Sequence, residues 1–192
     1  LLAVGPQRES GSRLKAGEEI LRLNGNAASL HMVWKTAQTL MEYLSGIASS
    51  VAEISAAAQR GNPETSVVCT RKNFPGTKAA AIKAVLCSGA SPHRLSLSET
   101  LLIFPEHRAF LENDAATSTI ERLRQRWPER AIVVEVDSTN EARRWIDVAV
   151  DILQLEKFSV ESLAEIAAYA AASRQPTKIA AAGGINAGNA EA

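Results

Sequence analysis

The chain has 192 residues, 46% of them hydrophobic, and balances 21 basic against 21 acidic groups; it can bury one good core, and zero net charge argues against a nucleic-acid surface. Two cysteines, Cys69 and Cys87, are too few for a disulfide scaffold and lack partners at zinc-ligand spacing, which fits a reduced, cytoplasmic setting. No apolar run approaches the ~18 residues of a membrane helix, so no membrane insertion is expected, and no signal peptide is visible.

Residues 1-26 are Gly-punctuated, with Val4-Gly5, Gly11, Gly17 and Asn24-Gly25 separating small apolar clusters such as Ile20-Leu21-Arg22-Leu23. This pattern predicts the remnant of a small β domain. Linking helices are predicted over 27-60, where Leu30, Val33, Trp34, Ala37, Leu40, Met41, Leu44, Ile47 and Val51 recur at helical spacing. Ser45-Gly46 interrupts that run. A mid-helix Gly costs ~1 kcal/mol relative to Ala, which predicts a break, a tight helix contact or a ligand approach there.

From residue 61 to the end the pattern becomes strand then helix, repeated. Strands are predicted at 66-71, 99-104, 131-136, 150-156 and 177-182, with helices near 77-87, 115-127, 139-148 and 160-172. Ser138 to Glu141 reads as a capping box, and Ser159 opens the next helix in the same way. Alternating units with near-continuous apolar strands predict an α/β chain with a parallel sheet, as a barrel or a doubly wound sheet. Leu1 is not an initiator Met, and the sequence stops just after Gly183-Gly184-Ile185-Asn186, where a helix is starting, so an interior piece of a longer protein is expected.

In a β/α barrel the ligand lies over the C-terminal strand ends, and the conspicuous polar residues fall there. Arg71-Lys72 closes the first predicted strand, Glu135 and Asp137 the third, Glu156-Lys157 the fourth and Gly183-Gly184 the fifth, while His93-Arg94 leads into the second. Alone, Arg71-Lys72 reads as a solvated strand exit, but Pro75-Gly76 fixes a turn before a helix whose N–H groups attract anions. His93 alone reads as a structural histidine; beside Arg94 it joins a polyanion site. Glu135 lies in a very apolar strand and needs a partner, a ligand hydroxyl or a metal. Glu156-Lys157 also fits a surface ion pair, and Gly183-Gly184 an ordinary strand end or a phosphate-cradling turn. His31 and His107 read as structural, and Trp34, Trp127 and Trp145 as core.

Taken in order, Ser45-Gly46-Ile47-Ala48, Thr70-Arg71-Lys72 with Pro75-Gly76, His93-Arg94-Leu95, Glu135-Val136-Asp137-Ser138 and Gly183-Gly184 resemble the motifs of quinolinate phosphoribosyltransferase, the carboxylating nicotinate-nucleotide pyrophosphorylase. The resemblance runs from about residue 20 to the end. It implies a type II phosphoribosyltransferase with an open (incomplete) parallel β/α barrel over 61-192, truncated at its C-terminus, preceded by a remnant of an α/β sandwich domain. It further implies phosphoribosyl pyrophosphate as donor, Mg²⁺ carried with it, a heteroaromatic acid as acceptor, and a homodimer or higher homo-oligomer. On this resemblance Glu135, Lys72 and Glu156 are the expected catalytic residues. Lys35, Arg71, Lys72, His93, Arg94, Gly183 and Gly184 are the expected substrate-binding ones, with Lys35 standing where the family has an arginine donated across the dimer interface.

Three departures are equally informative. Phe104-Pro105-Glu106-His107 replaces the family's Lys-Asp-Asn-His, Leu155-Glu156-Lys157-Phe158 its Leu-Asp-Asn-Phe, and Trp34-Lys35 its Glu-Arg. They resemble the ModD-type branch, pyrophosphorylases associated with molybdenum transport, and imply an altered acceptor. Two other classes fit the residues: a non-catalytic anion-binding or regulatory protein on the same scaffold, and an unrelated barrel enzyme such as an aldolase using Lys72. Glu135 with both basic pairs disfavours the first, and Arg71 with Pro75-Gly76 the second.

Overall fold

A computed structural model describes residues 3–97, 99–110 and 115–192, which divide into two compact units: Leu1–His93 with Asn186–Ala192, and Arg94–Ile185. The first unit begins with β1 (Ala3–Gln7) and β2 (Leu21–Asn24), antiparallel, with Val4 opposite Leu23 and a register shift before Gln7. Next comes α1 (Ala27–Gly61), whose N-cap Asn26 accepts through Oδ1 from the Ser29 N–H at 2.8 Å, as a short polar cap should.

Helix α1 runs unbroken through Ser45-Gly46, correcting the expected interruption. The tight contact is also absent: nothing described lies within 4 Å of where a Gly46 β-carbon would be. One glycine's ~1 kcal/mol propensity cost is too small to break a 35-residue helix that packing supports along its second half. There Val51 is buried with Val85 and Ala90, against which Ile47, Val67 and Cys69 pack. The first half is different. Met32, Trp34, Leu40 and Tyr43 are all exposed, so Trp34 is not a core residue within this chain.

After α1 come β3 (Val68–Cys69), α2 (Lys78–Leu86) and β4 (Ser91–Pro92), with β3 and β4 parallel. Strand β4 adds to the sequence expectation: Ser91–Pro92 is a further parallel strand, so His93-Arg94 leaves a strand end as well as lying in the segment that leads into the strand expected at 99-104. Its proline is tolerated because the ladder uses its neighbours, Ser91 N–H to Val67 O at 3.1 Å and His93 N–H to Cys69 O at 2.8 Å. The last residues of the chain return to this unit, where Glu191 pairs with Arg60 at 2.8 Å.

The second unit comprises β5 (Leu101–Ile103), α3 (Pro105–Arg108), α4 (Ala115–Arg126), β6 (Ile132–Val136), α5 (Thr139–Asp147), β7 (Ile152–Glu156), α6 (Val160–Ala171) and β8 (Lys178–Ala182). Its four strands are parallel in the order β5-β6-β7-β8. Alternation sends Ile132, Val134 and Val136 of β6 and Leu153 and Leu155 of β7 into one core with Trp145, Ile146 and Ile166 of the helices. Fully burying such aliphatic side chains stabilises by about 1.5–3 kcal/mol each, which makes this the anchor of the unit. Residues 133, 135, 152, 154, 156, 178, 180 and 182 take the opposite, inner face.

Trp145 is buried as expected, whereas Trp127, at the end of α4, is 42% exposed and stacks under Arg126 at 5.1 Å. Ser159 caps α6 through the Ser162 N–H at 3.2 Å. Ser138 holds the extended N-cap conformation of α5 but makes no side-chain cap, and the predicted capping box does not form. Glu141 is drawn away instead, to Arg108 at 2.6 Å. Among the described residues no helix is long and apolar enough to cross a membrane.

Candidate functional site

Strands β3 and β4 bring two of the sequence-predicted basic loops to neighbouring strand ends. Arg71 and Lys72 follow β3 after Thr70, and His93 follows β4 while its N–H donates to Cys69 O, the last residue of β3. Arg71 and His93 are half-buried and Lys72 is exposed. After Asn73 the chain makes a tight turn, Thr77 N–H to Phe74 O at 3.0 Å, with Pro75 at its second position and Gly76 at φ +83. This is the geometry a Pro-Gly pair favours, and it delivers the chain into α2. Thr77 stands at the N-cap, but its hydroxyl bonds back to Phe74 O at 2.7 Å rather than capping the helix. A cavity of about 10 Å³ lies behind the loop, between Cys69, Arg71, Asn73 and Val85, room for a water at most. Burial pushes the Cys69 thiol above its ordinary range.

Arg94 differs from the other basic residues. It is only 8% exposed, and its Nη1 reaches Thr100 O at 3.5 Å, within a segment also tied by Leu95 N–H to Glu99 at 2.6 Å. Its guanidinium is therefore packed into its own loop. Lys35 lies on the exposed first half of α1, its ammonium 4.1 Å over the Trp34 ring and 3.2 Å from Gln38 Oε1. Phe104 precedes α3, and its N–H donates to His107 Nδ1 at 3.1 Å, so His107 has the structural role expected of it.

Glu135 and Glu156 lie on the face of the four-stranded sheet opposite Leu153 and Leu155. Glu135 of β6 stands opposite Gln154 of β7 in register, and Gln154 Nε2 donates a hydrogen bond to Glu135 Oε2. The partner demanded by a carboxylate in an apolar strand is thus partly supplied by the protein itself. Arg108 holds the same residue from behind, with Nη2 donating to Glu135 O at 2.7 Å while Nη1 pairs with Glu141 at 2.6 Å. Neither Gln154 nor Arg108 was anticipated. The alternation in Ile152-Leu153-Gln154-Leu155-Glu156 signals Gln154, whereas Arg108 carries no sequence signal distinguishing it from a surface cation.

Glu156 and Gly183 meet at the C-terminal ends of β7 and β8. A β-carbon on Gly183 would come 2.6 Å from Glu156 Oε1, and the glycine holds φ +81, followed by Gly184 at φ +76. Glu156 is half-buried, and no ion pair joins it to Lys157 among the described residues. Lys157 itself adopts φ 58, left-handed, with its N–H donating to Ala182 O at 2.8 Å. Gly183 and Gly184 thus leave the end of β8 in two successive left-handed conformations, which glycine adopts at no steric cost. Among the described residues no group of three or more His, Cys, Asp or Glu side chains could hold a metal ion.

Comparison with known proteins agrees with this architecture. The pattern described as quinolinate phosphoribosyl transferase, C-terminal domain, matches residues 47–192, and its N-terminal domain matches residues 2–45. A Rhodobacter capsulatus protein named as a pyrophosphorylase, ModD, is 45% identical over 181 residues, 94% of this chain and 70% of that one. An Archaeoglobus fulgidus protein named as a nicotinate-nucleotide pyrophosphorylase (carboxylating) is 30% identical over 166 residues, 85% of this chain and 62% of that one. The crystal structure of NadC from Streptococcus pyogenes superposes with a TM-score of 0.85 at 26% identity, covering 99% of this chain and 65% of that one. The chain thus spans about two thirds of the length of these relatives, and its α/β fold, with parallel strands and helices in a barrel that is not closed, is theirs. With both halves of one family pattern matched collinearly across strand ends that carry Arg71, His93, Glu135 and Gly183, the chain belongs to the quinolinate phosphoribosyltransferase family.

Proposed function

We propose that the full-length parent protein transfers ribose 5-phosphate from phosphoribosyl pyrophosphate to a ring nitrogen of a heteroaromatic acid, releasing pyrophosphate. The observation that carries this reading is the close approach of Glu156 to Gly183, which sets a carboxylate beside two successive left-handed glycines at adjoining parallel strand ends.

In the transfer the bond from ribose C1 to the pyrophosphate oxygen breaks as the bond to the acceptor nitrogen forms, and positive charge builds on the ribose ring. Glu135 and Glu156 supply fixed negative charge and hydrogen-bond acceptors for the ribosyl hydroxyls and that developing cation. The N–H groups around Gly183 and Gly184 cradle the 5-phosphate. Arg71, Lys72, His93 and Arg94 bind the oxygens of pyrophosphate and of the acceptor's carboxylate. Mg²⁺ carried by the donor would neutralise charge on the leaving phosphates, and Glu135 is the carboxylate that would help to hold it.

Phe104 puts an aromatic ring where the family carries a lysine, which favours an acceptor with less negative charge than quinolinate. The acceptor decides between a role in NAD biosynthesis and one linked, as in the ModD-type branch, to molybdenum transport. The exposed Met32, Trp34, Leu40 and Tyr43 of α1 favour a homodimer or higher oligomer, in which Lys35 would reach a neighbouring site. The free Cys69 and Cys87 are in keeping with a cytoplasmic location.

Calorimetry of the full-length parent with phosphoribosyl pyrophosphate and Mg²⁺ tests the reading, and a folded protein that gives no binding heat would sink it. Pyrophosphate release across a panel of pyridine and pterin acids then identifies the acceptor. Donor binding without release on any of them would favour a non-catalytic anion-binding role.

A further inference from the structure

Gln154 is a polar amide on the inner face of a parallel sheet, where an unpartnered polar group is costly. In β7, Leu153 and Leu155 are fully buried against the helices, and strand alternation therefore sends Ile152, Gln154 and Glu156 to the other face. Across the ladder Gln154 has Glu135 of β6 on one side and the small Ala180 of β8 on the other. Its Nε2 donates to Glu135 Oε2. An ionised carboxylate has acceptor sites only, so it is the amide's nitrogen end that must face it.

The same glutamate is held at its backbone, where Arg108 donates to the carbonyl at 2.7 Å. Main chain and side chain are thus fixed from two different elements, α3 and β7. We propose that Gln154 is a positioning residue for phosphoribosyl transfer, its amide fixing the rotamer of the Glu135 carboxylate that meets the ribosyl group. This assignment rests on the transferase reading. A hydrogen bond to a charged group is about twice as strong as a neutral one and is directional, so it suits this task better than apolar packing would.

A group that aims a transition-state carboxylate leaves a characteristic kinetic signature. Donor affinity comes mainly from phosphate contacts made by other residues, so loss of the amide should lower kcat and leave donor KM nearly unchanged. The test compares the full-length parent with Gln154→Met, which keeps the volume and removes the donor, using phosphoribosyl pyrophosphate with the acceptor found in the panel. Expected are a roughly tenfold lower kcat, a donor KM within about twofold and an unchanged melting temperature. In a Glu135→Gln background the Gln154→Met change should have little further effect, since the two act as a unit.

A kcat within about twofold of the parent would overturn the assignment, as would a loss accompanied by an equal rise in KM and a lower melting temperature, which marks a structural role. If Gln154→Met does not fold, the isosteric Gln154→Glu, which sets a second carboxylate against Glu135, decides the matter by the same criteria. No donor binding by the parent overturns the transferase reading and this assignment together. An active parent with unaffected variants overturns this assignment alone.

Discussion

A β-carbon added to Gly183 would stand 2.6 Å from Oε1 of Glu156 and 2.8 Å from its Cδ. The glycine at the end of β8 and the carboxylate at the end of β7 therefore occupy one space between them. Any larger residue at 183 must move the acid that the proposed chemistry needs.

Gly183→Ala should accordingly do more harm than Gly184→Ala. Both residues are left-handed, so each alanine costs about 1–2 kcal/mol of backbone strain. Only at 183 does the methyl meet a side chain, because nothing described lies within 4 Å at 184. Chemical denaturation should show the larger loss for Gly183→Ala, and activity assays a selective loss in that variant. Equal effects at the two positions would count against the shared space.

Arg108→Met should destabilise the second unit by about 2 kcal/mol, the range for hydrogen bonds to charged partners. The guanidinium side chain is only 10% exposed and serves both Glu141 and the Glu135 carbonyl, while stacking 5.5 Å from the Trp145 ring. Glu141→Gln should cost less, because that carboxylate is 40% exposed and water can replace part of the pair. Urea denaturation of the two variants gives the ranking directly.

Glu135→Gln is expected to lower kcat by roughly a hundredfold while donor affinity stays within a few-fold, as for removal of one electrostatic stabiliser of a transition state. Steady-state kinetics with calorimetric donor titration separates the two quantities. A parallel loss of donor affinity would show that Glu135 acts in ground-state binding instead.

The Cys69 thiol should alkylate slowly at pH 8 and its reactivity should rise at higher pH than that of an unhindered cysteine. Burial raises its pKa, which lowers the thiolate fraction available at a given pH. By linkage the same shift contributes stability that is present below the ordinary thiol range and lost as pH rises through the raised value. Mass spectrometry of iodoacetamide-treated protein across pH 7–10 follows Cys69 by peptide. A rate profile matching a free thiol would contradict the burial.

Much of the second unit was legible because its signals are long and redundant. The strand at 131-136 is apolar but for Glu135, and Ser159 caps the helix after β7 as its spacing predicts. The first unit was harder, because Val68–Cys69 and Ser91–Pro92 are too short to show any period, and a proline ordinarily argues against a strand. Glu135, Glu156 and Gly183 could be named from polar residues at strand ends. Their neighbours Gln154 and Arg108 are defined by what lies across the sheet, which a linear reading does not display. The failed capping box has the same origin: Ser138 and Glu141 have the right spacing, but Arg108, 33 residues away from Glu141, outbids the local bond.

Lys157 gives the turn after β7 a hidden asymmetry. A lysine at φ 58 holds a conformation that glycine or asparagine adopts with little penalty, immediately beside Glu156 and with its N–H fastened to Ala182. Replacing it with glycine would relieve that penalty in the native state, yet would also widen the range of the unfolded chain and of the loop itself. The residue that looks like the weak point of the turn is thus also its stiffener. It restricts the backbone from which Glu156 projects, at a position where the most comfortable amino acid would give that carboxylate more room to wander.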